Sequence, residues 1–82
     1  MKTLVIVPTY NERENISPFM DQFLELVSSA DLLVVDDSSP DKTYEVVEQK
    51  SKIEPRIQLL LRSKKQGLGR AYVAGFNWAL AN

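Results

Sequence analysis

The sequence predicts an α/β fold, a three-layer, Rossmann-like half of a doubly wound sheet with parallel strands in the order 3-2-1. The alternation of its segments and the general handedness of their connections predict it. Short, β-branched apolar runs alternate with longer segments of helical periodicity, in the order β-α-β-α-β-α, and this alternation is typical of a parallel sheet covered by helices. Right-handed crossovers then favour the strand order 3-2-1. In such sheets, ligands bind beyond the carboxyl ends of the strands.

The first strand and helix are predicted from two segments. Residues 3–7 are apolar and β-branched, which predicts a strand that is buried on both faces and ends at the proline that follows. Apolar residues then recur at helical spacing over residues 16–27. We expect Asn15 or Ser17 to cap this helix, because Pro18 is tolerated in a first turn.

The remaining elements follow the same alternation. Residues 32–35 form a second buried strand, after which Ser39 is expected to cap a second helix over about residues 40–52. Residues 57–61 predict a third strand, and residues 70–81 predict a third helix.

The composition limits the possible functions. The chain has 82 residues, which fits one small domain, and 44% of them are hydrophobic, which is normal for a folded protein. A net charge of -1 gives no general attraction to nucleic acid or anionic lipid, so no nucleic-acid partner is expected. Cysteine and histidine are both absent, which excludes disulfides and the commonest zinc ligands. With no signal peptide or membrane span visible, the expected location is the cytoplasm.

Three loops that follow the strands should meet at one edge of the sheet. Residues 8–14 and 36–41 carry carboxylates, whereas residues 62–69 carry cations. Carboxylates suit the donor groups of a base and a ribose, and cations suit phosphates. This division of charge predicts a nucleotide site.

The acidic pair Asp36 and Asp37 has more than one interpretation. Its members could bind a nucleotide from the tip of the second strand, or they could only help to cap the next helix. The pair is also similar to the acidic pair of receiver domains, but here it follows the second strand, and no lone aspartate ends the third.

The basic loop also admits two interpretations. Lys64, Lys65 and Gly67 could contact a diphosphate at the start of the third helix, or they could form a solvated turn. Gly67 and Gly69 match a dinucleotide fingerprint only in part, since Tyr72 stands where the third glycine belongs.

The third helix is apolar nearly all round. Small residues on one side suit close packing on a sheet, while large side chains cover much of the rest. We therefore expect a missing partner, and self-association through this helix is one possibility.

Three blocks of the chain resemble family 2 glycosyltransferases, and the first and third resemble in particular the branch that transfers mannose to dolichol or polyprenol phosphate. The blocks are VPTYNERENI (residues 7–16), VVDDSSPDKT (34–43) and GLGRAYVAGF (67–76). The family usually has glycine where Lys42 stands, and often at Ser38, both of which we expect in exposed loop positions.

The resemblance implies a GT-A fold and a nucleotide-sugar donor, with GDP-mannose expected and a polyprenyl phosphate as acceptor. By position, five residues would line the nucleotide pocket, with Asp36 nearby. These five are Pro8, Tyr10, Glu12, Val35 and Asp37.

The resemblance also implies a divalent metal, Mg²⁺ or Mn²⁺, whose Asp-x-Asp ligands lie on a strand after the third helix of the family. Residues 1–82 are therefore expected to be one domain, the N-terminal nucleotide-binding part of a GT-A enzyme that is cut short. No catalytic residue and no metal ligand is assigned in it, little or no transfer activity is expected from it alone, and the whole enzyme could act at the cytoplasmic face of a membrane. The alternatives are a non-catalytic nucleotide-binding or interaction module and a receiver-like signalling domain.

Overall fold

The computed structural model describes residues 3–63 and 68–81, with side chains for 3–63 and 73–81. Strands and helices alternate as the sequence predicts. They are β1 (Thr3–Thr9), α1 (Arg13–Leu26), β2 (Ala30–Asp36), α2 (Thr43–Ile53), β3 (Ile57–Leu61) and α3 (Leu68–Ala81). The strands are parallel and β2 lies between β1 and β3, which confirms the predicted α/β class and the strand order 3-2-1.

β2 is the centre of the core because its side chains alternate between two covered faces. Leu32 and Val34 belong to an apolar cluster that includes residues of α1 and α2. Leu33 and Val35 form a second cluster, against which Trp78 of α3 packs. The side chains of these four β2 residues are fully buried. The helices therefore cover both faces of the sheet, as expected for three layers.

β1 differs from the prediction in length and in burial. It continues through Pro8 to Thr9, with Pro8 opposite Val35 of β2. Because β1 lies at an edge of the described sheet, a proline without an N–H is tolerated there. The edge position also leaves residues 4–8 only partly buried, so the expectation of burial on both faces is wrong.

The start of α1 also differs from the prediction. The helix begins at Arg13, so Asn15 and Ser17 are not its caps, and Pro18 lies inside the helix rather than in its first turn. No side chain of this segment caps the helix. The Arg13 N–H instead donates to the carboxylate of Asp41, 28 residues further along the chain, so a distant side chain replaces the local cap.

α2 begins at Thr43, not near Pro40, and ends at Ile53. The residue before it, Lys42, has a left-handed backbone (φ 62°), which interrupts the helical path that was expected to start at Pro40. Ser39 is therefore not the cap of α2. β3 has the predicted bounds, and α3 begins slightly earlier than predicted.

Candidate functional site

The carboxyl ends of all three strands meet at one edge of the sheet. Thr9, the last residue of β1, donates its hydroxyl hydrogen bond to Asp36 Oδ1 at 2.7 Å. The backbone N–H of Arg62, directly after β3, donates to the carbonyl oxygen of Asp36 at 2.8 Å. The loops after β1 and β2 and the start of the loop after β3 thus lie together, as the sequence predicts.

Asp36 is an internal acceptor at this edge. Its side chain is fully buried. Oδ1 accepts the hydroxyls of Thr9 and Ser39, each at 2.7 Å, and Oδ2 accepts the Ser39 N–H at 3.0 Å. Because a buried carboxylate requires hydrogen-bond donors, these contacts explain how its charge is tolerated. In this arrangement Asp36 supports the loops from beneath and presents no surface to a ligand.

Asp37 has a different environment. The residue is 6% exposed, and its Oδ1 accepts no hydrogen bond. Arg62 Nη1 lies 3.7 Å from this oxygen, which is an ion pair at a distance too long for a hydrogen bond. A buried charged oxygen without a donor is costly, by about 1–3 kcal/mol or more, and a native protein that keeps one requires an explanation. Because ligands of parallel sheets bind at this edge, Asp37 Oδ1 is a candidate for contact with a ligand.

Tyr10 and Glu12 lie at the same edge and are both exposed. Between them, Asn11 has a left-handed backbone (φ 56°), which turns the chain from β1 into α1. Glu12 Oε2 accepts a hydrogen bond from Asn15 Nδ2 at 3.2 Å, so one acceptor of its carboxylate has a partner on the surface. Tyr10 as a whole residue is 37% exposed.

Pro8 and Glu12 also line an open groove of about 270 Å³ between β1 and α1, whose walls are mostly apolar. The groove is lined by Val7, Pro8, Thr9, Glu12, Asn15, Ile16 and Phe19. Val35 is not at this surface, because its side chain is fully buried beneath α3. Its predicted contact with a nucleotide stays a prediction.

Three further candidate residues, Lys64, Lys65 and Gly67, lie outside the described residues. Within the described part of the chain, no three acidic, histidine or cysteine side chains are grouped so that they could hold a metal ion. The acidic pair does not fit a metal site either. Both oxygens of Asp36 accept internal hydrogen bonds, and Asp37 faces a guanidinium.

Hydrogen bonds that the sequence did not predict join the segment after β1 to the segment after β2. The N–H groups of Asn11, Glu12 and Arg13 donate to side chains of Ser39, Thr43 and Asp41 respectively, each at 3.0 Å. The Asp-x-Thr spacing of residues 41–43 was the available signal, since aspartate commonly accepts from a backbone N–H two residues on. The Thr43 N–H makes that bond to Asp41 Oδ1 at 3.0 Å.

The contacts of Asp41 lower its pKa below the ordinary value of 3.8. Partial burial acts in the opposite direction and raises the pKa. It is outweighed by the hydrogen bond from the Thr43 hydroxyl, by the N–H groups of Arg13 and Thr43, and by the Arg13 guanidinium.

The two positions at which the chain departs from the usual glycine have positive φ angles. Ser38 has φ 50° and Lys42 has φ 62°. Lys42 is exposed, whereas Ser38 is half-buried and its hydroxyl donates to the carbonyl of Arg62. The expectation that both are exposed is therefore wrong for Ser38. Glycine suits both positions because it adopts positive φ without a steric penalty.

The comparisons with known proteins agree with this architecture. Residues 4–82 match the model of glycosyl transferase family 2, and the chain belongs to that family. This membership removes the receiver-like alternative.

Two curated relatives and one solved structure are similar to the chain. An undecaprenyl-phosphate mannosyltransferase of Micrococcus luteus is 42% identical over 80 residues, which cover 98% of this chain and 33% of the relative. A polyprenol monophosphomannose synthase of Mycolicibacterium smegmatis is 44% identical over 80 residues, covering 96% and 30%. The structure of a mannosyltransferase from Pyrobaculum calidifontis, in complex with GDP-Man and Mn²⁺, matches with a TM-score of 0.77 and 28% identity, over 93% of this chain and 23% of that one. The chain thus has part of a GT-A fold and spans about a third of the length of the curated relatives it matches.

Proposed function

We propose that the chain is the nucleotide-binding part of an enzyme that transfers mannose from GDP-mannose to a polyprenyl or dolichyl phosphate. Membership of glycosyl transferase family 2 supports glycosyl transfer. The names of the relatives support mannose and a polyprenyl phosphate acceptor, and the similar structure contains GDP-Man. The acceptor site belongs, in this proposal, to the rest of such an enzyme.

The observation that carries the proposal is the contrast between the two adjacent aspartates. Both carboxylate oxygens of Asp36 accept hydrogen bonds from the protein, whereas Asp37 Oδ1 accepts none. A guanine or ribose donor would supply the hydrogen bond that Asp37 Oδ1 lacks. Its approach requires a small movement of the side chain from beside Arg62, since the oxygen is buried.

The exposed side chains of the β1 loop complete the proposed pocket. The ring of Tyr10 offers a flat face for a base, and the free acceptor capacity of Glu12 suits base or ribose donors. Pro8 gives an apolar wall next to Glu12 in the groove along β1. Diphosphate contacts by Lys64, Lys65 and Gly67 remain part of the proposal.

A divalent cation in such an enzyme stabilises the departing diphosphate. The described carboxylates do not fit that ion, so we assign no metal ligand among them. In the described part of the chain no helix is long and apolar enough to cross a bilayer. We place the whole enzyme at the cytoplasmic face of a membrane because its proposed acceptor is a lipid phosphate.

Isothermal titration with GDP, GDP-mannose and UDP tests the proposal. We expect GDP and GDP-mannose to bind more tightly than UDP, and Asp37→Ala to weaken GDP binding about tenfold or more, since a hydrogen bond to a charged group is lost. Asp21→Asn is the matched control, because Asp21 is an exposed acidic residue of α1 whose salt bridge to Lys50 is remote from the strand tips. A chain that is folded but binds none of the three nucleotides contradicts the proposal.

A further inference from the structure

The first turn of α1 is held by side chains that come from the loop between β2 and α2. A helix start leaves N–H groups without partners inside the helix, and they are usually capped by a neighbouring side chain. Here Asp41, 28 residues away, caps the N–H of Arg13, and the N–H groups of Asn11 and Glu12, just before the helix, donate to Ser39 and Thr43. The two loops that form the ligand edge are therefore fixed to one another.

Asp41 has the largest share of these contacts. Oδ2 accepts the Arg13 N–H at 3.0 Å, while Oδ1 accepts the N–H and the hydroxyl of Thr43 at 3.0 and 2.5 Å. Its own N–H donates to Asn11 Oδ1 at 3.3 Å, and its carbonyl accepts from Arg13 Nη1 at 3.1 Å. This one carboxylate thus joins the first turns of α1 and α2, and both of its oxygens are occupied in doing so.

The segment that Asp41 holds is the one that carries the exposed side chains of the proposed site. Thr43 connects Asp41 to Glu12, because its hydroxyl donates to Asp41 and accepts the N–H of Glu12 at 3.0 Å. Asn11, immediately before Glu12, forms the left-handed turn into α1, and its side chain accepts the Asp41 N–H, so Asp41 contacts this turn as well.

We propose that Asp41 is a positioning residue for nucleotide binding. It does not contact the nucleotide. It fixes the backbone at Asn11 and Glu12, and this backbone sets the direction of the Glu12 side chain. This inference depends on the proposed function. It adds a residue whose contribution to affinity is indirect and passes through Glu12.

The test compares GDP affinity of Asp41→Ala, Asp41→Asn and the control Asp21→Asn, each measured where circular dichroism shows the variant to be folded. Because Asp41 acts through Glu12, its loss can remove at most the charge-assisted hydrogen bonds that Glu12 makes to the nucleotide, so we expect Asp41→Ala to weaken GDP binding by about ten- to a hundredfold. Asp41→Asn keeps the size of the side chain and one of its two acceptor oxygens, so it should restore part of the affinity. Asp21→Asn should bind as the native chain does.

A double-mutant cycle with Glu12→Ala separates positioning from a general loss of structure. If Asp41 acts through Glu12, then Asp41→Ala should change GDP affinity by less than about twofold in the Glu12→Ala background. An equal loss in both backgrounds, or native affinity in Asp41→Ala, overturns the inference while the proposed function stands. A native chain that binds no GDP overturns the proposed function first, and the inference with it.

Discussion

Asp36 and Asp37 are adjacent in sequence, yet the fold gives them different chemical environments. Asp36 is held by Thr9 and Ser39 beneath the loops, whereas Asp37 faces Arg62 and keeps an oxygen without a hydrogen bond. The sequence predicted that an acidic pair would lie at the ligand edge. It could not predict how the two roles divide, because the donors to Asp36 come from two separate segments of the chain.

Both aspartates should contribute to the stability of the fold, but for different physical reasons. Asp36→Ala leaves buried donors of Thr9 and Ser39 without an acceptor, so the free energy of unfolding should fall by about 2 kcal/mol. Asp37→Ala removes the carboxylate that faces the nearly buried Arg62 guanidinium, and because the loss of one member of a buried ion pair is strongly destabilising, the free energy of unfolding should fall by about 3 kcal/mol. Urea denaturation measures both. A loss of less than about 1 kcal/mol in either variant would contradict the contacts assigned to that aspartate.

Lys42 has a backbone conformation that suits glycine better than lysine. Lys42→Gly removes the steric penalty of the positive φ, and this gain exceeds the conformational entropy that glycine loses on folding. The free energy of unfolding should therefore rise by about 0.5–1 kcal/mol. Lys42→Ala is the control, since it removes the charge but keeps the steric penalty, and it should show no comparable gain. A thermal unfolding series compares the two, and an equal gain in both variants would assign the effect to charge.

The lowered pKa of Asp41 predicts a dependence of stability on pH. Because the folded-state pKa lies below the ordinary 3.8, the unfolded chain binds the proton more readily. The stabilisation is thus present above about pH 4 and is lost as the pH falls through the folded-state pKa. Between about pH 5 and about pH 3, Asp41→Asn should lose less stability than the native chain in urea denaturation. Parallel losses would show that Asp41 is not responsible.

At the scale of elements, the sequence predicts what local patterns control and misses what distant contacts control. The strands β2 and β3 and the existence of all three helices follow from apolar runs and helical periodicity. The start of α1 does not, because its cap is Asp41 in another loop. The start of α2 was misplaced for a related reason, since Pro40 has the composition of a helix start but the left-handed Lys42 stands between it and the helix.

The contact of α3 with the sheet depends on a glycine. A Cβ on Gly75 would lie 2.8 Å from Ile6 Cγ2 and 3.4 Å from Val35 Cγ2, closer to Ile6 than side chains pack. This close approach explains why a residue without a Cβ stands at this point of α3.

Gly75→Ala should therefore destabilise the fold although alanine is the better helix former. Overpacking lowers the free energy of unfolding by about 1–3 kcal/mol, whereas the higher helix propensity of alanine raises it by about 1 kcal/mol. We therefore expect a net loss of about 1 kcal/mol. Asn77→Ala, at an exposed position of the same helix, should give a small gain of a few tenths of a kcal/mol. Chemical denaturation of both variants measures the difference, and a gain in Gly75→Ala would mean that α3 does not pack this closely.

At the scale of the whole molecule, the apolar outer face of α3 agrees with the expectation of a missing partner. Val73, Phe76 and Leu80 are 59%, 65% and 79% exposed. Large apolar side chains grouped on one surface are typical of a face that contacts other protein. The chain spans about a third of the length of its curated relatives, and self-association through α3 stays a prediction.

We propose that the three strand tips form one site and that this site binds a guanine nucleotide. An NMR titration of the ¹⁵N-labelled chain with GDP tests it most directly. We predict the largest shifts at the amides of Tyr10, Glu12 and Asp37, with Asp21 and Lys50 unchanged as reporters remote from the strand tips. A folded chain with no GDP-induced shift at these three amides, or with shifts confined to the opposite end of the sheet, would contradict it.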